Sequence, residues 1–538
     1  MDKYNEWLND ENIESIDKEY LKNMAKEEIE NSFSEDLKFG TSGIRALMGL
    51  GSSKMNKYTI GKVTVGLANY LNKNNKGASV VIAYDTRNNS KEFAYETALI
   101  LNYYKIKTYL FKEVTSTPEL AFSIKYLNCT SGIVITSSHN PKEYNGYKVY
   151  NSLGYQIVPP EDDLIISEIN SITSFKSIKK APLNNDLFNY VDDSVHKNFL
   201  LENEKVILNN DLFKEYASKI NVTYTSMHGV GLKTAKEIFD KYGFNYNIVK
   251  EQCTYDGNFK TAPEPNPEYI KNYDLAIKYA KENNSDIILA TDPDADRLGI
   301  MYKNNDVYEY INGNIVGCLF LNYILNNIKI KNNSYIVRSI VTSPFIDKIA
   351  KKYNVKVYEV LTGCKNIANK IINKREENYI FGYEESIGYM FNIGILDKCG
   401  FSAMIMILEI LCYLKSKNIE LNDYIQNIYK EFGYIALDTI NIVFEDTNII
   451  QKYMDDFRKD IIQFNNKNYT KKDYLNEVGE NNTNALKYNY DDGLYIMIRP
   501  SGTEPKLKIY IGSLDKDENR AKEKLEKVKK EINCIFNR

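Results

Sequence analysis

The chain of 538 residues is 43% hydrophobic and 26% charged with only 12 prolines, enough to bury several cores and long enough to predict three or four domains. Its 69 lysines and arginines stand against 72 aspartates and glutamates, a formal charge of −3, which leaves no basic footprint for nucleic acid or an anionic membrane surface. Seven cysteines, an odd number without a C-x-x-C pair, argue against a disulfide framework or structural zinc site and favour a reducing compartment.

The opening MDKYNEWLNDENIESIDKEY reads as charged helix without an apolar leader core, and no run approaches the length of a membrane span, so a cytoplasmic location is expected. Next, FGTSGIRALMG places Arg45 in a glycine-rich segment able to approach a phosphate, although an ordinary glycine turn reads the same way. Short Val- and Ile-rich runs then alternate with helical patterns, which predicts α/β architecture. The expected strands are SVVIAYD, SGIVITSS, INVTYTS, SDIILATD, SYIVRSIVTS and NYIFGYE, most of them ending in polar or glycine-containing turns. Ligands of open α/β sheets collect beyond such carboxyl ends.

The run GIVI empties into TSSHNPKEYNGYKVY, residues 136–150, with Ser138 at its mouth. His139 is adjacent, but neighbours on an extended segment point to opposite sides, so direct Ser–His pairing is not expected, and there is no G-x-S-x-G elbow. A serine that carries a phosphoryl group needs a metal ion nearby, because phosphoserine bears a charge of about −1.5 to −2. Taken alone, the stretch reads equally as a plain strand-to-helix corner.

In TDPDADR, residues 291–297, Asp292, Asp294 and Asp296 are spaced by two. On an extended backbone alternate side chains share a face, so three carboxylates converge. Like charges at that spacing are costly unless a cation fills the gap, and an all-oxygen set suits Mg²⁺. Arg297 in place of the turn glycine and Lys303 in place of the bidentate glutamate exclude an EF-hand. A solvated acidic loop is the plainer alternative.

FGYEESIGY, residues 381–389, sets two carboxylates in a glycine-flanked loop suited to vicinal sugar hydroxyls, or simply to surface charge. From about residue 436 the pattern changes to a smaller α+β module. GLYIMIRPSGTEPKLKIYIGS reads as two strands about a turn, and Ala521, Leu525, Val528 and Ile532 follow at helical spacing. In that turn Arg499 offers a planar fork to a phosphate, Ser501 and Thr503 offer hydroxyls, and Gly502 lets N–H groups face an anion. As a lone motif it is also just a hairpin turn.

In this order the pieces resemble the α-D-phosphohexomutase family, which includes phosphoglucomutases and phosphomannomutases. The resemblance spans nearly the whole chain, from FGTSGIRA to RPSGTEPK, with further echoes in AYDTRNNS (Asp85, Arg87, Ser90), SMHGVG, LTGCKNIANK and LDKCGFSAM. GTSGIRALMGLGSSKMN and GYEESIGY are most similar to the branch of bacterial α-phosphoglucomutases and animal phosphopentomutase-type enzymes. The resemblance implies four domains around a central cleft. Three are related α/β units with mixed sheets flanked by helices, at 1–205, 206–320 and 321–435, and the last is a smaller α+β domain at 436–538.

By position, the resemblance implies that Ser138 is the phosphoserine and that Asp292, Asp294 and Asp296, with the Ser138 oxygen, bind one Mg²⁺ per active site. It places Lys148 as a general acid/base, His139, Arg45 and Arg297 with it among the catalytic residues, and Lys398 among the substrate-binding residues of the cleft. Glu384 and Ser386 correspond to sugar-hydroxyl contacts, Thr362 and Gly363 to substrate contacts, and Arg499, Ser501, Gly502 and Thr503 to the distal phosphate cradle. The implied activity is that of a phosphoglucomutase, interconverting α-D-glucose 1-phosphate and glucose 6-phosphate through a phosphoserine enzyme, with glucose 1,6-bisphosphate as intermediate and activator. Phosphomannomutase or phosphopentomutase activity on the same scaffold is the alternative. A magnesium-dependent sugar phosphatase and a non-catalytic sugar-phosphate sensor are rivals of other classes. The implied partners are small sugar phosphates, with no nucleic acid and no membrane, and the chain is expected as a monomer or homodimer. Three positions depart from the pattern: Ser137 stands for alanine, Cys364 for an aromatic residue and Cys399 for aspartate.

Overall fold

Ile133, Val134 and Ile135 on the strand Ser131–Ile135 are all buried, which requires a place inside a sheet covered on both faces. This strand pairs in parallel with Ser79–Tyr84 and antiparallel with Tyr144–Tyr150. The complete six-stranded sheet runs Gly43–Leu47, Tyr144–Tyr150, Ser131–Ile135, Ser79–Tyr84, Lys107–Leu110, Phe188–Tyr190. The computed structural model describes residues 2–40, 43–444, 446–464, 468–477, 482–501 and 505–536. They fall into two compact units, Met1–Gly313 with Cys364–Arg375 and Ile380–Ser416, and Asn314–Gly363 with Glu376–Tyr379 and Lys417–Arg538.

Within the first unit a second sheet repeats the plan of the first. Its order is Val307–Ile311, Leu298–Asn304, Ile287–Thr291, Asn221–Thr225, Asn245–Ile248, with a parallel block on one side and an antiparallel return on the other. A third α/β segment contributes the parallel pair Ser334–Ser339 and Lys356–Val360 in the second unit, and the antiparallel hairpin Asn378–Glu384 and Gly388–Met390. All six strands expected from the sequence form. The fourth sheet, in the second unit, is wholly antiparallel, in the order Tyr434–Val443, Lys506–Asp515, Leu494–Pro500, Leu486–Tyr490, Tyr469–Asp473. The helix Glu518–Ile535 buries Ala521, Leu525, Val528 and Ile532, the stripe read from the sequence, the last three in a core with Ile496, Ile498, Ile509 and Ile511. The result is an α/β chain of three related units and a smaller C-terminal α+β module.

The charged N-terminus forms three short helices, Asp2–Asn9, Ser15–Lys22 and Lys26–Phe33. They close over Trp7, whose ring meets Phe33, Tyr58 and Phe175 edge-on at 5.5, 5.6 and 5.1 Å. Among the described residues no helix is long and apolar enough to cross a membrane.

His196, on the helix Asp193–Glu204, ties the first two α/β units together. Its Nδ1 lies 2.9 Å from Glu119 on the helix Thr117–Tyr126, and its Nε2 lies 2.8 Å from Glu237 on the helix Leu232–Tyr242. Burial disfavours the imidazolium and Lys233 repels it, but the two glutamates outweigh both and raise its pKa above the ordinary 6.5. The tie therefore stabilises the fold fully below about pH 6.5 and fades as pH rises through the higher folded value. We expect the difference in urea midpoint between wild type and His196→Gln to shrink as pH rises from about 6 to about 9. A difference independent of pH would contradict this role for His196.

Candidate active site

The serine loop is the turn between two antiparallel strands, Ser131–Ile135 and Tyr144–Tyr150, and not a strand-to-helix corner. Ser138 has a φ of 51°, in the left-handed region, and its N–H donates to Thr136 Oγ1 at 2.9 Å. That bend removes the premise on which Ser–His pairing was set aside. With the backbone no longer extended, Ser138 Oγ comes within 3.1 Å of His139 Nδ1, and the two side chains pair directly. A non-glycine residue held there costs roughly 1–2 kcal/mol, and Arg87 is what holds it. Its guanidinium donates to the carbonyls of Ser138, Asn140, Pro141 and Tyr144 and lies 4.8 Å over the Phe259 ring. Asp85 sits 3.2 Å from Arg87 Nε and accepts from Ser90 Oγ at 2.7 Å. The AYDTRNNS echo is thus a clamp on the serine loop, a role visible only once the loop's carbonyls are in place. A lysine has no planar fork to reach four carbonyls at once.

The acidic segment is likewise a hairpin turn, between Ile287–Thr291 and Leu298–Asn304. The carboxylates do converge, but not through strand alternation. Ala295 adopts a φ of 53° and its N–H donates to the Asp292 carbonyl at 2.9 Å, so a tight turn gathers them. One oxygen of each of Asp292, Asp294 and Asp296 lies within 4.8 Å of the others, and all three residues are buried. The SMHGVG loop packs against this turn at its glycine. A Cβ on Gly229 would fall 2.3 Å from Pro293 Cα, and Val230 N–H donates to the Pro293 carbonyl at 2.9 Å.

The two loops meet. Ser138 Oγ donates to Asp292 Oδ2 at 2.7 Å, across 154 residues of sequence. Lys148 Nζ donates to Asp294 Oδ2 at 2.9 Å, and Lys398 Nζ lies 2.7 Å from Asp296 Oδ2. Asp294 Oδ1 and Asp296 Oδ1 are buried without a hydrogen-bond partner. Three buried carboxylates gathered this closely, two of them with an oxygen that has no donor, could hold a hard divalent cation. Burial, with repulsion from Asp296 and Asp294, pushes the Asp292 carboxyl well above its usual range. Asp294 moves the other way despite burial, because Lys148 and Lys398 pull it down. Burial and the charges of Arg297 and Arg45 hold the His139 imidazole well below its ordinary value, so it is neutral near pH 7.

Around this centre the first unit gathers most of the other expected residues. Arg45, on the strand Gly43–Leu47, reaches the serine loop through Asn140 Oδ1 at 3.2 Å. Arg297 donates its backbone N–H to Asp292 Oδ1 at 3.1 Å and its guanidinium to Glu268 at 3.3 Å. Lys398 keeps its place with Cys399 in the aspartate position, since Asp296 holds its ammonium and Gly400 N–H donates to the Ala295 carbonyl. Cys399 itself turns to Asn203 Oδ1 at 3.1 Å. Cys364 Sγ lies 3.2 Å from Glu384 Oε2, so the thiol in the aromatic position braces that carboxylate. Ser386 stands in the turn of the same hairpin, between Glu384 and Gly388.

Thr117 escaped the sequence reading. Its hydroxyl donates to Asp294 Oδ2 at 2.8 Å and its N–H to the Asp294 carbonyl at 3.0 Å. Ser116 and Pro118 announce a helix start, which predicts a cap and gives no hint of a distant aspartate.

The second unit carries Thr362, Gly363, Arg499 and Ser501. Arg499 Nη1 donates to Thr362 Oγ1, Gly363 adopts a φ of 110°, and Ser501 N–H donates to the Lys506 carbonyl at 2.7 Å. Gly502 and Thr503 lie outside the described residues, as do Thr41 and Ser42 of the N-terminal glycine-rich motif.

Four family models match the chain in sequence, those of phosphoglucomutase/phosphomannomutase alpha/beta/alpha domains I, II and III at residues 36–176, 201–305 and 312–432, and the C-terminal domain at 462–530. A phosphomannomutase of Mycoplasmoides pirum is 32% identical, over 99% of this chain and 98% of its own. The chain belongs to the phosphoglucomutase/phosphomannomutase family. A phosphoglucomutase of Staphylococcus saprophyticus is 34% identical over 94% of this chain and 95% of its own. The family fold is shared with the open form of pp63/parafusin, a phosphoglucomutase from Paramecium, at a TM-score of 0.75 and 21% identity over 93% of this chain and 95% of that one. A family protein from Burkholderia thailandensis superposes with a TM-score of 0.69 at 18% identity, over 92% of this chain and 97% of that one.

Neutralising one member of the trio should weaken divalent-ion binding. Titrating Mn²⁺ by paramagnetic resonance, we expect Asp294→Asn to bind at least about tenfold more weakly than wild type. Equal affinity would remove Asp294 from the ligand set.

Proposed function

We propose that the chain is a phosphoglucomutase, converting α-D-glucose 1-phosphate and glucose 6-phosphate into one another through a phosphorylated Ser138. One observation carries the reading, the 2.7 Å hydrogen bond from Ser138 Oγ to Asp292, which sets the candidate acceptor hydroxyl against the only acidic trio of this kind among the described residues. In the proposed cycle phosphorylated Ser138 gives its phosphoryl group to the free hydroxyl of a hexose monophosphate. Lys148 in its neutral amine form takes the hydroxyl proton as the new P–O bond forms and the Ser138 Oγ–P bond breaks, and gives that proton back to the sugar oxygen freed in the second transfer. The bisphosphate turns over, and its other phosphate returns to Ser138, releasing the isomer. Held by Asp292, Asp294, Asp296 and the Ser138 oxygen, one Mg²⁺ supplies charge neutralisation to the transferring group, the main demand of phosphoryl transfer.

The remaining roles follow from chemistry. Arg87 fixes the loop that presents Ser138. Neutral His139 is available to accept or donate at Oγ. Glu384, braced by Cys364, accepts from sugar hydroxyls together with Ser386, and Arg45, Arg297 and Lys398 offset phosphate charge. Arg499, beside Thr362 and Gly363, grips the phosphate that is not reacting, with Ser501, Gly502 and Thr503. Glucose 1,6-bisphosphate serves as the activator that charges Ser138. A cytoplasmic monomer or homodimer, with the domain boundaries given by the sequence pattern, completes the proposal. The name of the M. pirum relative favours mannose phosphates as the second reading.

A panel of hexose and pentose 1-phosphates assayed with trace bisphosphate decides the sugar, glucose 1-phosphate being expected to give the highest kcat/KM. Steady release of inorganic phosphate would point instead to a phosphatase. Ser138→Ala should abolish turnover with the fold intact, and retained mutase activity would refute the assignment. Arg499→Ala should raise KM about 10- to 100-fold, the worth of charge-assisted hydrogen bonds of about 1.5–3 kcal/mol.

A further inference from the structure

The C-terminal sheet has two dissimilar faces. One packs on its own helices through Ile496, Ile498, Ile509 and Ile511. The register gives the other. Lys487 stands opposite Met497, Met497 opposite Tyr510, and Arg499 is two residues beyond Met497 on the same face. This second face rests on the preceding α/β segment, with Tyr474, Ala485, Met497 and Tyr510 buried against Ile340 and Val341 and flanked by Leu361.

At the edge of that apolar contact stands Glu359, on the strand Lys356–Val360. Its Oε1 accepts from the Tyr474 hydroxyl at 2.7 Å and from Lys472 at 3.4 Å, and its Oε2 accepts from Arg338 at 2.8 Å and from Lys487 at 3.2 Å. Arg338 is steadied in turn by a bidentate pair with Asp347, both bonds 2.8 Å. Burial works against the Glu359 charge, yet Lys487, Arg338 and the Tyr474 hydroxyl hold its pKa down at about 2. Burial, with the Arg338 charge beside it, lowers the Lys487 pKa even though Glu359 pulls it the other way. Tyr474, Lys472 and Lys487 come from the C-terminal module, and Thr362, which accepts from Arg499, lies three residues further along the chain.

We propose that Glu359 is a positioning residue for Arg499: its carboxylate pins the C-terminal sheet to the strand leading into Leu361-Thr362-Gly363, and so sets where the arginine is presented. The apolar patch by itself resists sliding poorly, whereas a carboxylate shared among fixed donors has one geometry. The inference rests on the reading of Arg499 as a phosphate-gripping residue. It assigns the register of the phosphate cradle to a side chain that touches no substrate.

The test compares Glu359→Gln and Glu359→Ala, each alone and combined with Arg499→Ala, by steady-state kinetics on glucose 1-phosphate and by amide hydrogen exchange of the full chain. The glutamine substitution keeps the volume and one acceptor, so Glu359→Gln serves should Glu359→Ala fold poorly. We expect KM to rise at least about fivefold in Glu359→Ala and less in Glu359→Gln, with kcat within about twofold of wild type. In the Arg499→Ala background the Glu359 substitutions should add nothing to KM, because both act through the same arginine. Exchange in 356–363 and 494–501 should quicken while that of the first unit does not. Unchanged exchange in those segments, or a KM effect that multiplies undiminished with Arg499→Ala, would overturn the proposal. Quickened exchange with a KM insensitive even to Arg499→Ala would instead remove the phosphate-cradle reading and leave the structural tie standing.

Discussion

Three carboxylates buried within 4.8 Å of one another repel strongly, and this repulsion organises the first unit around it. Lys148 comes from the first sheet, Arg297 from the acidic turn itself and Lys398 from the LDKCG loop, so three cations from separate stretches of chain converge on Asp294 and Asp296. Even so, Asp294 Oδ1 and Asp296 Oδ1 accept from nothing. Two open acceptors beside a buried carboxylate trio fit a site that a divalent cation could complete. The Ser138 hydroxyl belongs to the same balance, since its proton goes to Asp292. Structure and chemistry are here one electrostatic problem, and the proposed phosphoryl transfer takes place where that problem is left partly unsolved.

All four motifs that carry this chemistry lie on the turns of antiparallel hairpins: 136–143, 292–297, 385–387 and the connection between Leu494–Pro500 and Lys506–Asp515. In the first two sheets the hairpin follows the end of the parallel block, at the carboxyl end of its last strand. In those two sheets a repeated plan thus delivers different side chains to equivalent positions, a hydroxyl in the first and a set of carboxylates in the second.

How much of this was legible depended on the range of the interaction. Strands such as Ile287–Thr291 announce themselves by apolar runs, and the helix Glu518–Ile535 by its buried stripe, because burial imposes a period on neighbouring residues. The motifs were found for the same reason, each being a short run of unusual chemistry. Backbone hand was not legible. Ser138 and Ala295 take left-handed conformations that neither residue type favours, so the extended geometry assumed for both loops gave an incorrect Ser–His relation and the wrong cause for the carboxylate convergence. Long-range partners were equally hidden. Thr117 looks like part of a helix start, and Glu359 like one more surface charge, until residues 177 and 115 positions away close on them.

The lone tryptophan has a practical consequence. Trp7 is enclosed by Phe33, Tyr58 and Phe175, inside the three-helix N-terminal cap. Its indole emission therefore senses detachment of that cap, and none of its ring partners belongs to the candidate site. Optical studies of ligand binding will need a dye or a second indole engineered elsewhere, and a silent fluorescence trace says nothing against occupancy.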